Sequence, residues 1–492
     1  LNLAGPGSLG TVPGDAQQLV NRGISRHLLA LALEQVRSAG VLGGRHIGGS
    51  HNHLPARSGG QLARPFNRAQ RSWVYRAAKD IDNTVAFGST RDLRPTGTYI
   101  FVNCPYPVLE TDVAPTKSLE VGPYSRQPYV TDSLFNVSAM SYGAISKPAV
   151  LALSKGSAKA GNWMNTGEGG LSPYHIDGGA DIVFQIGTAK YGIRNEDGSI
   201  NDDKLRDVAA HDQVRMIEIK LSQGAKPGKG GILPGEKVTE EIAKIRGIEA
   251  GTDSISPNRH PEVDSCEDLL DMINHVREVS GLPVGFKSVV GAYGWIEELC
   301  ALINERGIES APDFITIDSG DGGTGAAPMS LMDCVGLPIR ESLPLVVDIL
   351  NRFGVRDRIR VIASGKLITP AEAAAALCIG ADFIQSARGF MFSLGCIQAL
   401  QCNKNTCPTG ITTHDPDLQR GLVVEEKAER VYQYSKNMHK EIGIIAHSCG
   451  VREPRQLKRF HCRVVQENGR SVPLNELFPD AQPEDPMEPA AA

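Results

Sequence analysis

The chain has 492 residues, 41% of them hydrophobic and 22% charged, which is enough to bury one large core plus an appended domain and is unlike a fibre or a disordered chain. A formal net charge of -5 argues against nucleic acid as the main partner, because a phosphate backbone is met by a basic face. No apolar run approaches the ~20 residues of a membrane span; no signal peptide is expected although residue 1 is Leu, and the sparse cysteines read as free thiols of a reducing, cytoplasmic compartment.

Residues 1–130 are rich in Gly, Arg, Pro and Asn, with one amphipathic helix near 24–37 and another over 68–83; they read as an N-terminal wrapping segment or cap. Over 131–420 short apolar runs alternate with amphipathic helical stretches, the signature of parallel strands with crossover helices. Eight strands are expected, over 137–140, 163–166, 182–187, 216–221, 284–288, 314–318, 360–364 and 383–386. Eight strand-then-helix units point to an α/β fold, a (β/α)8 TIM barrel. The long gap at 222–281 follows the fourth strand, where a loop of that size is functional. Residues 421–492 read as a C-terminal helical extension ending, from about 480, in an acidic, Pro- and Ala-rich disordered tail.

In such a barrel the carboxyl ends of the strands face one mouth, so residues far apart in sequence converge there. The ends carry Ser138-Ala139-Met140-Ser141, Asn165-Thr166-Gly167-Glu168, Gln185, Glu218 with Lys220, Lys287, and Asp318 followed by Ser-Gly-Asp-Gly322-Gly323. The last two end in Ser364-Gly365-Lys366 and Ser386-Ala387-Arg388-Gly389, where small residues, exposed N–H groups and two cations suit a phosphate. Sugar phosphates, PLP and FMN all use that place. Ordinary Gly-rich turns closing a barrel are the plain alternative.

After the last strand come Cys396, Cys402 and Cys407, followed by Pro408. The spacing is too wide for a thioredoxin-type pair, and no His pair at finger spacing completes a zinc site. Three soft thiolates without a fourth ligand suit an iron-sulfur cluster. A cluster site beside a phosphate site, with Lys287 on the middle strand, favours FMN, which exchanges one-electron for two-electron chemistry. Lys287 would stabilise the anionic reduced ring; its alternative is an interior salt bridge to Glu218 or Asp318.

The blocks at 138–146, Asn-Thr-Gly-Glu-Gly-Gly at 165–170, Gln-Gly-Ala-Lys-Pro-Gly-Lys-Gly-Gly-Ile-Leu-Pro-Gly at 223–235, Gly-Asp-Gly-Gly-Thr-Gly-Ala at 320–326 and Cys-x5-Cys-x4-Cys-Pro-x-Gly at 396–410 resemble the synthase domain of glutamate synthase, colinearly over about 130–420. Arg-x-x-Val-Tyr at 71–75 and Phe87-Gly88-Ser-Thr-Arg91-Asp92 resemble the family's stand-alone FMN-binding members. The resemblance implies reductive amination of 2-oxoglutarate to L-glutamate, with a 3Fe-4S cluster on Cys396, Cys402 and Cys407 beside FMN, and hydride transfer to 2-iminoglutarate. It implies Lys287 beside flavin and oxo acid, Glu168 in imine formation or ammonia gating, and Gln223 and Lys226 on the loop lining the mouth. Glu168 holding the Gly-rich turn by its backbone N–H groups is the alternative.

The chain departs from full glutamate synthases in starting at Leu1 with no cysteine before Cys104, so the glutaminase nucleophile is not expected, nor is the C-terminal β-helix. Gly320–Gly325 is too compact for a dinucleotide fingerprint. Ammonia is therefore expected free or from an amidotransferase partner, and electrons from ferredoxin or a reductase subunit. Two other readings stand: a flavin-dependent hydroxy-acid dehydrogenase, for which His175 and His211 are not at strand ends, and a non-catalytic electron-transfer subunit.

Overall fold

The computed structural model describes residues 65–481 except Thr90 and Ala326. The helix expected at 24–37 and the tail beyond 481 lie outside the described residues.

Eight parallel strands close into a barrel: β1 Phe135–Val137, β2 Met164–Asn165, β3 Ile182–Ile186, β4 Val214–Lys220, β5 Val284–Val289, β6 Phe314–Asp318, β7 Arg360–Ser364 and β8 Phe383–Ser386. Closure is made by Phe135–Val137 pairing with Ile384–Ser386. The crossover helices are α1 Lys147–Ala160, α2 Pro173–Asp177, α3 Asp202–Ala209, α4 Cys266–Ser280, α5 Gly294–Arg306, α6 Ile339–Arg352, α7 Pro370–Ile379 and α8 Arg388–Leu394. Their ends are written in the sequence. Ser146 caps α1 and Gly161 ends it with φ 73°, while Ser265 and Asp268 form a capping box that opens α4. All eight expected strands are present; β1 alone is displaced, ending at Val137 because its pairing with β8 stops there and Ser138–Ser141 turn into the mouth.

Strand alternation sorts the barrel interior into layers. At the amino ends Trp163, Val183, Met216, Phe314, Ile362 and Phe383 form an apolar plug, covered by the hairpin Leu119–Val121 with Tyr129–Thr131. Two residues further along the same strands stand Asn165, Gln185, Glu218, Thr316, Ser364 and Gln385, and two further again Lys220 and Asp318. Above the plug, toward the carboxyl end, the interior is thus polar. Beneath the plug, Asp313 is fully buried and paired with Arg277 on α4 at 2.9 Å and Arg358 at 2.7 Å, which ties α4 to the starts of β6 and β7.

The segment at 222–281 contributes a short hairpin, Ile232–Leu233 with Ser254–Ile255, the helix Glu240–Arg246 and α4. The 25-residue helix α9, Val424–Ser448, packs along α1 and carries Tyr434 against Phe135 and Phe390. The extension is not helical throughout: Cys462–Val465 pairs with Ser471–Pro473 and with Tyr99–Phe101, so both ends of the described chain share one antiparallel sheet. The helix Arg68–Ala77, shorter than the expected 68–83, lies against α8, with Phe66 and Tyr75 edge-on to Phe392.

Candidate active site

Glu218, fully buried on β4, anchors the middle layer. Its Oε1 accepts from Asn165 Nδ2 at 2.8 Å and Gln185 Nε2 at 2.7 Å, and its Oε2 from Thr316 Oγ1 at 2.6 Å. The Asn165 and Gln185 amides, expected at a cofactor, are thereby oriented by Glu218. Thr166 Oγ1 accepts from Gln185 N and donates to the Gly167 carbonyl, and Asn165 Oδ1 accepts from Gly167 N, so this turn is held by its own neighbours. Glu168 does not serve it.

Above this layer Glu168 pairs with Lys220, Oε1 to Nζ 3.0 Å. The carboxylate is wedged between two glycines: a Cβ on Gly187 would lie 2.5 Å from Glu168 Cβ, and one on Gly231 2.5 Å from Oε1. Burial raises its pKa, but Lys220, Lys226 and Arg246 together outweigh that and hold it below the usual carboxylate value. Lys226 is buried with Nζ donating to the Gly230 carbonyl at 3.2 Å; burial and the nearby Lys220 pull it down to about 8 against the opposing pull of Glu168. Arg246, absent from the expected site, ends the helix Glu240–Arg246. It is buried over the Tyr191 ring, donating to Ser254 Oγ and the Tyr142 carbonyl, while its Nε has no partner.

Lys287 pairs with Asp318 Oδ2 at 3.4 Å, the interior salt bridge named above as its alternative; Glu218 is not its partner. Asp318 Oδ2 also accepts from Gly224 N at 2.9 Å, and Gln223 bridges Lys220 Nζ at 3.3 Å to the Gly323 carbonyl at 2.7 Å. The loops after β4 and β6 are thus stitched across the mouth. Buried Met140 and Ser141 and half-buried Ala139 line the loop after β1, with Ser141 N against Gly167.

The second group lies after β6, β7 and β8. Lys366 Nζ pairs with Asp321 at 2.8 Å; Arg388 Nη2 donates to the Asp321 carbonyl and its guanidinium lies 4.6 Å over the Phe66 ring. Burial pulls Arg388 down to about 10 despite Asp321 and Asp318. A Cβ on Gly323 would come within 2.8 Å of Arg388 Nε, and Gly365, at φ 117°, presses its backbone onto Ser319, so the cations sit among bare main chain. Gly322 and Ala387 complete this surface, whereas Gly389 is buried against Tyr434 with its N donating to Ser386 Oγ. Ser364 Oγ lies 3.5 Å from Ser138 Oγ. Beside them in register, Gln385 is buried with both amide atoms unpartnered. Two cations, exposed main chain and an orphaned buried amide fit a polar phosphate-bearing cofactor.

Cys396 and Cys402 are half-buried and Cys407 is buried. Burial pushes Cys396 up to about 11 and raises Cys402; burial also acts to raise Cys407, but hydrogen bonds from Thr409 and Thr412 outweigh it and hold the thiol below its ordinary value. Cys396 feels Cys402 and Cys407 electrostatically, and Cys402 feels Cys407. Among the described residues no three His, Cys, Asp or Glu side chains converge as one metal ion requires. The three thiols of this one segment, each hydrogen-bonded at sulfur, match in kind and number the donors of a multi-iron cluster. A second gathering of thiols is hidden in sequence: Cys378 hydrogen-bonds Cys462, with Cys449 and Cys104 alongside. Among the histidines, His175 is buried at the start of α2, His211 is exposed, and His260 bonds the Lys220 carbonyl at 3.1 Å, where burial pushes it down to about 4.

Residues 109–452 match the family model described as the conserved region in glutamate synthase. The chain is 39% identical over 453 residues to the glutamate synthase large subunit-like protein YerD of Bacillus subtilis, covering 84% of this chain and 86% of that one. It is 34% identical over 345 residues to an archaeal-type glutamate synthase [NADPH] of Thermotoga sp., covering 70% of this chain but only 62% of the relative. Among solved structures a mandelate oxidase variant superposes with a TM-score of 0.46 at 13% identity, over 80% of this chain and 92% of its own, too slight a likeness to distinguish it from other barrels. No helix among the described residues is long and apolar enough to cross a membrane.

Proposed function

The chain belongs to the glutamate synthase family, and on that premise we propose that it reductively aminates 2-oxoglutarate, or a related 2-oxo acid, to L-glutamate or the matching amino acid, using ammonia from outside this chain. The observation that carries the reading is the charge at the mouth. Of the buried cations there, Lys220 pairs with Glu168 and Lys287 with Asp318, while Lys226 and Arg246 leave two positive charges outside any ion pair among the described residues. A 2-oxo dicarboxylate brings two negative ones. Uncompensated buried cations are costly, so an anionic ligand there is strongly favoured.

Arg246 offers a planar fork suited to one carboxylate, and Lys226 a point charge on the same loop. Glu168 stays ionised at neutral pH; with Oε1 held by Lys220, Oε2 is left to take a proton from nitrogen as it attacks the oxo carbon. Lys366 and Arg388, with the main chain of Gly322, Gly323, Gly365, Ala387 and Gly389, would hold the phosphate of FMN, and Ala139, Met140, Ser141, Asn165, Thr166, Gln185 and Ser364 would line the rest of its site. Bound there, FMN would supply the hydride and a 3Fe-4S cluster on Cys396, Cys402 and Cys407 single electrons. Ferredoxin or a reductase subunit would be the donor, and an amidotransferase a possible source of ammonia.

Against the hydroxy-acid reading, His260 donates from Nε2 to the Lys220 carbonyl, and burial pushes it down to about 4, so its unpartnered, buried Nδ1 is a weak base. The test is anaerobic. Chemically reduced protein should regain its oxidised flavin spectrum with 2-oxoglutarate plus ammonium and not with either alone. Indifference to that pair, together with bleaching of the oxidised protein by a 2-hydroxy acid, would replace this reading with the dehydrogenase one.

A further inference from the structure

Lys237 ends the turn Gly235–Lys237 that follows the strand Ile232–Leu233, within the loop that carries Lys226 and Arg246. It is 1% exposed. An ammonium has three donors, and here each meets a main-chain carbonyl: Ala144 at 2.9 Å, Thr412 at 3.1 Å and Cys402 at 3.3 Å. Two of those carbonyls belong to the cysteine segment, one on each side of Cys407, and the third to the loop after β1. No ion pair to Lys237 occurs among the described residues, and burial pulls its pKa down to about 8 although Cys402 and Cys407 lie near enough to oppose that.

A buried ammonium without a counter-charge is costly relative to an apolar side chain of the same length. Carbonyl bonds alone do not demand a charge, because a neutral amide could donate to two of them. The cation is explained if something negative belongs beside it. The thiols facing it are those of Cys402 and Cys407.

We propose that Lys237 is a positioning residue for the cysteine segment: its three bonds clamp that segment to the loop bearing Lys226 and Arg246, and its charge stabilises an anionic group held by Cys396, Cys402 and Cys407. This rests on the reading of those cysteines as an iron-sulfur site. The clamp makes the order of the substrate-facing loop and the order of the cysteine segment one property. The charge favours the reduced, more negative state of a bound cluster, so its loss lowers the reduction midpoint.

The test compares anaerobically purified wild-type protein with K237Q, which keeps two N–H donors without charge, and K237R, which keeps the charge. Iron content, the EPR-monitored midpoint in a dithionite titration, and hydrogen exchange over 226–246 are measured. The expected result is a lower midpoint in K237Q, or loss of iron from K237Q alone, a midpoint near wild type in K237R, and faster exchange over 226–246 in K237Q with unchanged flavin absorbance. A K237Q protein with full iron, an unchanged midpoint and unchanged exchange overturns the proposal. Iron-free wild-type protein would remove the cluster reading itself; the exchange comparison then decides the clamp, and equal exchange in K237Q overturns it. Should K237Q fold without flavin, K237R decides: a shifted midpoint or lost iron there overturns the role of the charge.

Discussion

Lys226 is the residue whose protonation the mouth makes most sensitive to pH. Burial and Lys220 set it near 8, so in the free protein it is cationic below that value and neutral above it. Because kcat/KM reports groups of the free enzyme, kcat/KM for 2-oxoglutarate should fall as pH rises through about 8. K226R, which stays charged, should remove that limb. K226M should lose about ten- to a hundredfold at neutral pH, the range of one charge-assisted hydrogen bond, and show no limb there; a limb at 8 surviving in K226R would contradict the assignment. Glu168, Lys220, Lys226 and Lys287 were all legible in the sequence, because a charged residue at the carboxyl end of a barrel strand, or within a Gly-rich loop following one, has few places to go. Arg246 and Lys237 were not. Each sits at the end of a short helix or turn inside the long loop, where a basic residue is ordinary, and only the fold of that loop turns them inward. Gln385 was hidden for another reason: it reads as one more residue of an apolar strand, and its unpartnered amide is a property of its neighbours.

Among the elements, the loops after β4 and β6 form the working unit. Gly224 meets the Ser319 carbonyl so closely that an added Cβ would lie 1.8 Å from the oxygen. Gly224→Ala should therefore force the two loops apart, break the Gly224–Asp318 bond and loosen the Gln223–Gly323 bridge. The expected outcome is a stability loss of about 1–3 kcal/mol, the usual range for overpacking, a lower melting temperature, and weaker 2-oxoglutarate binding with unchanged far-UV circular dichroism. Unchanged binding would show that the stitch has no bearing on the site. Periodicity located the strands but not the end of β1, because Ser138–Ser141 continue an apolar, small-residue pattern while their backbone has left the ladder. The same limit applies to cysteines. Sequence proximity exposed Cys396, Cys402 and Cys407, whereas Cys378 and Cys462 meet only through the packing of α7 against the C-terminal sheet.

Across the whole molecule stability and chemistry occupy opposite ends of the barrel. The apolar plug and the Asp313–Arg277–Arg358 cluster close the amino end, while every titratable group of the candidate site lies at the other. The (β/α)8 architecture was readable from eight strand-and-helix periods; the shared sheet of Tyr99–Phe101 with the C-terminal strands was not, since its pairing spans more than 360 residues with no local signal. That arrangement leaves Lys226 and Arg246 buried at the mouth without an ion pair among the described residues, and the account stands on what fills it. The most direct measurement is to incubate the reduced protein anaerobically with 2-oxoglutarate and 15N-labelled ammonium and analyse the products by mass spectrometry. The account predicts 15N-glutamate appearing as the flavin reoxidises, one molecule for each two electrons lost; reoxidation without labelled glutamate, or none of either with a replete protein, would contradict it.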